Sequence, residues 1–72
     1  MDAKKTGRFI VEKRKEKHMS QKELAEYLNI TDKAISKWER GLSFPDITIL
    51  IPLSEVLNVS LYDLLTGGHS DE

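Results

Sequence analysis

The chain has no cysteine, so neither a disulfide nor a thiolate metal site is available, and the apolar residues, 39% of 72, must hold the fold unaided. No long apolar run is present either. The longest, Ile47 to Leu53, is interrupted by Thr48 and Pro52, far short of the roughly 20 residues that span a bilayer. The N-terminus lacks the apolar stretch of a signal peptide, and with no cysteine a cytoplasmic protein without a membrane partner is expected. Glycine occurs only four times and histidine twice, with no Gly-rich phosphate loop and no nucleophile elbow. No enzyme, metal, cofactor or small-molecule ligand is therefore expected. The last absence is of one charge sign. Residues 42–72 contain no Lys or Arg and five acids, a balance of -5, whereas residues 1–41 hold all 11 bases against seven acids, +4. The overall charge of -1 hides a dipole whose positive end lies in the N-terminal half and would attract phosphate.

The window Gln21 to Arg40, QKELAEYLNITDKAISKWER, explains what that positive end is for. Leu24 and Leu28 lie four apart on one helical face, Ile30 sits in a turn, and Ile35 and Trp38 repeat the face three apart. Ala25 is the small side chain that lets two such helices cross closely. Ser20 with Glu23 forms a capping box that opens the first helix, and Thr31 followed by Asp32 opens the second. Asn29 suits the left-handed residue between them. On the second helix, about residues 32–40, Asp32, Lys33, Ser36, Lys37 and Arg40 share one arc, opposite Ala34, Ile35 and Trp38. This polar, mainly basic surface is about two turns long and fits the major groove of B-form DNA. Trp38 has the phase of a core anchor, not of a base-stacking platform.

The flanking segments read as supporting helices. Thr6 can cap a first helix reaching about Lys17, with Phe9 and Ile10 inward, which leaves residues 1–5 as an N-terminal arm whose Lys4 and Lys5, with Arg8, add nonspecific contacts. His18 is placed where the chain turns left-handed. The Lys13 stem can cover the core edge. After Gly41, Asp46 caps a fourth helix in which Pro52 predicts a bend or break with the ring toward solvent. Ser60 and Asp63 open a fifth helix that Gly67 with Gly68 ends, and residues 68–72 read as a flexible tail or the start of a linker.

From about Thr6 to Gly67 the chain resembles the helix-turn-helix family of phage repressors, Cro proteins and xenobiotic-response-element-type regulators. The resemblance is carried by MSQKELAEYLNIT, TDKAISKWERG, FPDITIL and NVSLYDLL in that order. It implies an all-α, lambda-repressor-like bundle of five helices over residues 6–67, with helices 2 and 3 forming the helix-turn-helix. It also implies double-stranded DNA as partner, a homodimer on an inverted repeat, and a transcription regulator acting as a repressor. On this view Ser20, Gln21, Thr31 and Arg40 hold phosphates, and Asp32, Lys33, Ser36 and Lys37 reach base edges, the lysines toward guanine and Asp32 toward cytosine. Arg14 is expected to pair with Glu39 and to offer a phosphate a donor as well. Two positions depart from the family pattern, His18 where glycine is usual and Lys13 where an apolar residue is common. The competing expectation is a protein-interaction module, an antitoxin or adaptor that keeps the same fold. Affinity for random DNA that fades with salt separates the two.

Overall fold

Each helix begins at a side chain that accepts a hydrogen bond from the backbone N–H groups its first turn leaves open. In the computed structural model, which describes residues 2–68, the caps are Asp2, Ser20, Thr31, Asp46 and Ser60. They open α1 (Ala3–Glu16), α2 (Gln21–Leu28), α3 (Asp32–Glu39), α4 (Ile47–Leu57) and α5 (Leu61–Thr66). The full capping box is present at α2: the Ser20 hydroxyl accepts from the Glu23 N–H at 3.0 Å, and the Ser20 N–H donates to Glu23 Oε1 at 2.8 Å. The exits follow equally local rules. Asn29, Asn58 and Gly67 end their helices in the left-handed region, and His18 takes it at φ 57° between α1 and α2.

The apolar faces converge on one core. Phe9 and Ile10 of α1, Leu24, Ala25 and Leu28 of α2, Ile35 and Trp38 of α3, Leu50, Leu53 and Leu57 of α4, and Leu64 of α5 are all buried in it. The first helix is the spine, lying against α3, α5 and α4, while α2 lies across α3 and α4. Gly7 marks the closest approach: a Cβ there would stand 2.2 Å from the Trp38 carbonyl oxygen, so α1 and the end of α3 meet backbone to backbone. Lys13 extends over the Phe9 ring, its Nζ 5.5 Å from the centroid and 3.3 Å from Glu16 Oε1. None of the helices is long and apolar enough to cross a membrane.

Three expectations are corrected. Residues 3–5 are not an arm but the first turn of α1, because Asp2 accepts from the N–H groups of Lys4 and Lys5 at 3.0 and 3.2 Å. Thr6, expected as the cap, is instead 1% exposed, and its hydroxyl donates to the Leu64 carbonyl at 2.7 Å, tying α1 to α5. At Pro52 the helix runs on to Leu57, and the ring is half-buried. One missing hydrogen bond does not break a helix held on both sides of the proline by Leu50, Leu53 and Leu57. Gly68, the first residue of the tail and read with Gly67 as the end of the fifth helix, does close α5: its N–H donates to the Asp63 carbonyl at 2.7 Å, and its Cα lies against the Phe9 ring. The remainder of that tail, residues 69–72, falls outside the described residues.

Candidate nucleic-acid interface

Ile35, wholly buried, and Trp38, 6% exposed, fix the roll of α3 about its axis and so determine which side chains face out. Asp32, Lys33, Lys37 and Arg40 are exposed, and Ser36 is half-buried between them. The helix itself is Asp32–Glu39, with Arg40 as its C-cap residue and Thr31 as its N-cap, the Thr31 hydroxyl accepting from the Ala34 N–H at 3.3 Å. Arg40 folds back along the helix. Its Nε lies 3.2 Å from Ser36 Oγ and 3.3 Å from the Ser36 carbonyl oxygen, and the residue as a whole is exposed.

Roll alone does not fix the position of α3 relative to α2. A buried polar junction does. Arg14 donates from Nε to Glu39 Oε2 at 2.7 Å, from Nη2 to Glu39 Oε1 at 3.0 Å, and from Nη1 to the Met19 carbonyl at 2.8 Å. Gln21 Nε2 reaches the same Glu39 Oε1 at 2.8 Å. One carboxylate thus joins α1, the first residue of α2 and the last of α3, and Arg14 adds the α1–α2 turn through the Met19 carbonyl. The side chains of Arg14 and Glu39 are only 11% and 6% exposed, so these charge-assisted bonds are little screened by water.

The arrangement assigns the sequence-derived site residues unevenly. Asp32, Lys33, Ser36, Lys37 and Arg40 come together on one surface. Ser20 and Gln21 stand at the start of α2, where the first N–H groups of the helix have no partner within it and the positive end of the dipole meets solvent. Arg14 does not belong to this surface. Its guanidinium is enclosed and bonded to Glu39 and Met19, so the phosphate contact expected of it is withdrawn. Two features were missed in the sequence reading. The Gln21–Glu39 bond spans 18 residues and had no local signal. Lys4 packs its stem on Gly41, immediately beyond the recognition helix, instead of waving in an arm; a Cβ on Gly41 would come within 2.7 Å of Lys4 Cγ. A glycine directly after a helix bearing outward bases could have suggested that close approach.

This geometry agrees with what the chain is similar to. The sequence profile of the helix-turn-helix family matches residues 10–64. A curated relative, the SPbeta prophage-derived uncharacterized HTH-type transcriptional regulator YonR of Bacillus subtilis, is 38% identical over 64 residues, 89% of this chain and 59% of the relative. The P22 c2 repressor protein, solved in complex with a synthetic operator, superposes with a TM-score of 0.83 at 34% identity, covering 86% of this chain and 94% of that one. SinR, described as the master regulator for biofilm formation and solved in complex with DNA, gives 0.77 at 41% identity, covering 83% and 97%. The chain spans between 25% and 59% of the length of three of the curated relatives it matches.

Proposed function

Since the chain belongs to the helix-turn-helix family, we propose that it binds double-stranded DNA sequence-specifically as the reading domain of a transcription regulator, with repression as the outcome. The observation that carries this is the outward arc of α3, mainly basic and forming no ion pair among the described residues, positioned by buried Ile35 and Trp38 and by the Arg14–Glu39–Gln21 junction. In this reading α3 enters the major groove. Lys33 and Lys37 donate to guanine O6 or N7, Ser36 to either partner of a base pair, and Asp32 accepts from cytosine N4. Phosphates are held from two sides. Ser20, Gln21 and the open N–H groups of α2 take one strand, and Thr31 lies at the start of the reading helix. Arg40 and Lys4 hold the backbone at its far end.

An eight-residue helix covers only a few base pairs, so two copies on an inverted repeat are required for useful discrimination. The site of action is then the cytoplasm, where bacterial and phage operators lie. The protein-interaction reading has no comparable support, since an adaptor has no use for an exposed basic arc backed by a rigid core. Selection of bound sequences from a randomised duplex pool tests the proposal. Inverted repeats with centres about 10 bp apart are expected. A pool that remains random after repeated rounds at moderate salt would refute sequence-specific binding.

A further inference from the structure

Arg40 and Ser36 stand one turn apart on the outward arc of α3 and are joined by three hydrogen bonds. The Arg40 N–H donates to the Ser36 carbonyl at 3.0 Å, and Arg40 Nε lies 3.3 Å from the same carbonyl and 3.2 Å from Ser36 Oγ. A guanidinium has donors only, so in the last of these the serine hydroxyl is the acceptor. A serine or threonine inside a helix commonly gives its own proton to a carbonyl three or four residues back. Ser54 does so with Ile51 at 2.7 Å, and Thr66 with Tyr62 at 2.9 Å. Ser36 differs. Among the described residues its hydroxyl accepts from Arg40 and donates to nothing, neither to the carbonyl nor to the carboxylate of Asp32 one turn before it.

We propose that Arg40 is a positioning residue that sets what Ser36 reads: with one lone pair held by Arg40, Ser36 presents its proton to the major groove and requires an acceptor on the base opposite. The proposal rests on the DNA-binding reading above and deepens it at one base pair. Guanine N7 and O6, adenine N7 and thymine O4 supply such an acceptor, whereas cytosine offers only its N4 amino group there. That amino group can use the second lone pair of Ser36 Oγ. The hydroxyl proton is then left without an acceptor in an interface that has lost its water, which costs the full desolvation of an unmade bond. Charge acts in the same sense. Lys33, Lys37 and Arg40 are exposed around Ser36 on one arc, and cations favour the electronegative edge of a base over an amino group.

The bond from Nε thus acts against the wrong base and adds little for the right one. Without it the hydroxyl turns freely and serves as donor or acceptor as the base demands, so cytosine becomes tolerated while the preferred base is held as before. One side chain then has two separable jobs. The charge of Arg40 attracts phosphate, and its Nε constrains Ser36. Lysine keeps the charge but has a carbon at the ε position, so Arg40→Lys loses the bond alone. The amide nitrogen of glutamine stands the same number of bonds from Cα as arginine Nε, so Arg40→Gln keeps a donor for Ser36 and loses the charge.

The test puts the wild type, Ser36→Ala, Arg40→Lys and Arg40→Gln through selection from a randomised duplex pool, after circular dichroism confirms that all four fold. The base pair at which Ser36→Ala loses preference is the one Ser36 reads. Anisotropy titrations across a salt series then compare duplexes that carry a G·C pair there in its two orientations, one of which sets cytosine against Ser36. The wild type and Arg40→Gln are expected to bind one orientation roughly fivefold or more tightly than the other, and Arg40→Lys to separate them by less than about twofold. The salt slope should move the other way, unchanged in Arg40→Lys and lower by about one unit in Arg40→Gln. Wild-type discrimination kept by Arg40→Lys or lost by Arg40→Gln, relaxation spread over several base pairs, or no pair sensitive to Ser36→Ala overturns the assignment and leaves DNA binding in place. A wild-type pool that stays random is the failure of the DNA-binding reading, and the assignment falls with it.

Discussion

Arg14 and Glu39 meet through two parallel hydrogen bonds, Nε to Oε2 at 2.7 Å and Nη2 to Oε1 at 3.0 Å, at a point where almost no side-chain surface of either residue remains exposed. Removing one partner strands the other. Glu39→Ala leaves a guanidinium enclosed without a counter-charge and is expected to lower unfolding free energy by about 3–5 kcal/mol, a large part of what a small domain has. Urea unfolding followed by tryptophan fluorescence measures it directly, because Trp38 is one residue away. Replacing both partners together, Arg14→Met with Glu39→Leu, is expected to be far milder than Glu39→Ala, since no buried charge is left behind. A Glu39→Ala loss below about 1 kcal/mol would place the pair with ordinary surface bridges.

Gly7 gives a prediction that opposes helix propensity. Alanine in a helix interior usually gains roughly 0.5–1 kcal/mol over glycine. Here the added Cβ would stand 2.2 Å from the carbonyl oxygen of Trp38 and 3.0 Å from that of Glu39, both backbone atoms that cannot swing aside. Gly7→Ala is therefore expected to destabilise by about 1–3 kcal/mol through overpacking. Because the displaced element is the end of α3, DNA affinity should fall as well. A higher melting temperature for Gly7→Ala would contradict the close approach of the two helices.

The fourth helix should be sensitive to acid at its first turn. Hydrogen bonds from the Thr48 hydroxyl and then from the Thr48 N–H hold the Asp46 carboxyl below its ordinary range. A carboxylate with a depressed folded-state pKa contributes stability that is fully present above its unfolded value and is lost as pH falls through the folded one. The Asp46 contribution should thus vanish only below about pH 4. Asp46→Asn keeps an acceptor for the cap but cannot titrate. Its stability, followed by thermal melts between neutral pH and strongly acidic buffer, should fall less with acid than that of the wild type.

Much of this architecture is legible in the sequence because it is local. The caps at Ser20, Thr31, Asp46 and Ser60 need only the next three residues, and the left-handed turns at His18 and Asn29 need only one. The inward phase of Leu24, Ile35 and Trp38 follows from helical periodicity. The errors fall where a distant partner decides. Thr6 looks like a cap, but the Leu64 carbonyl, 58 residues away, draws its hydroxyl into the core and lets Asp2 start the helix instead. Pro52 looks like a break, but tertiary packing on both sides carries the helix through. Gln21 reads in the sequence only as a phosphate contact, whereas Glu39 also holds its amide from across the domain. Arg14 is the intermediate case. Its partner came from the family resemblance, but its burial, which removes it from the DNA surface, has no sequence signature.

Reading and holding can be separated on the recognition helix itself. Lys37 is exposed on the outward arc, while Arg40, also exposed, caps the helix with its Nε against Ser36. If Lys37 donates to a base edge, Lys37→Ala should weaken the selected site by roughly 1–3 kcal/mol and relax preference at one base pair, with little change on random duplex. Arg40→Ala removes a phosphate contact instead. It should weaken selected and random duplexes alike and reduce the log–log salt slope by about one unit per phosphate released. Arg40 also lends Ser36 a donor, so Arg40→Lys serves as the control: it keeps the charge, and therefore the salt slope, but not the Nε bond to Ser36. Fluorescence anisotropy on the two duplexes across a salt series distinguishes the cases. Equal loss on both duplexes for Lys37→Ala would move Lys37 to the backbone and leave Asp32, Lys33 and Ser36 as the residues that read sequence.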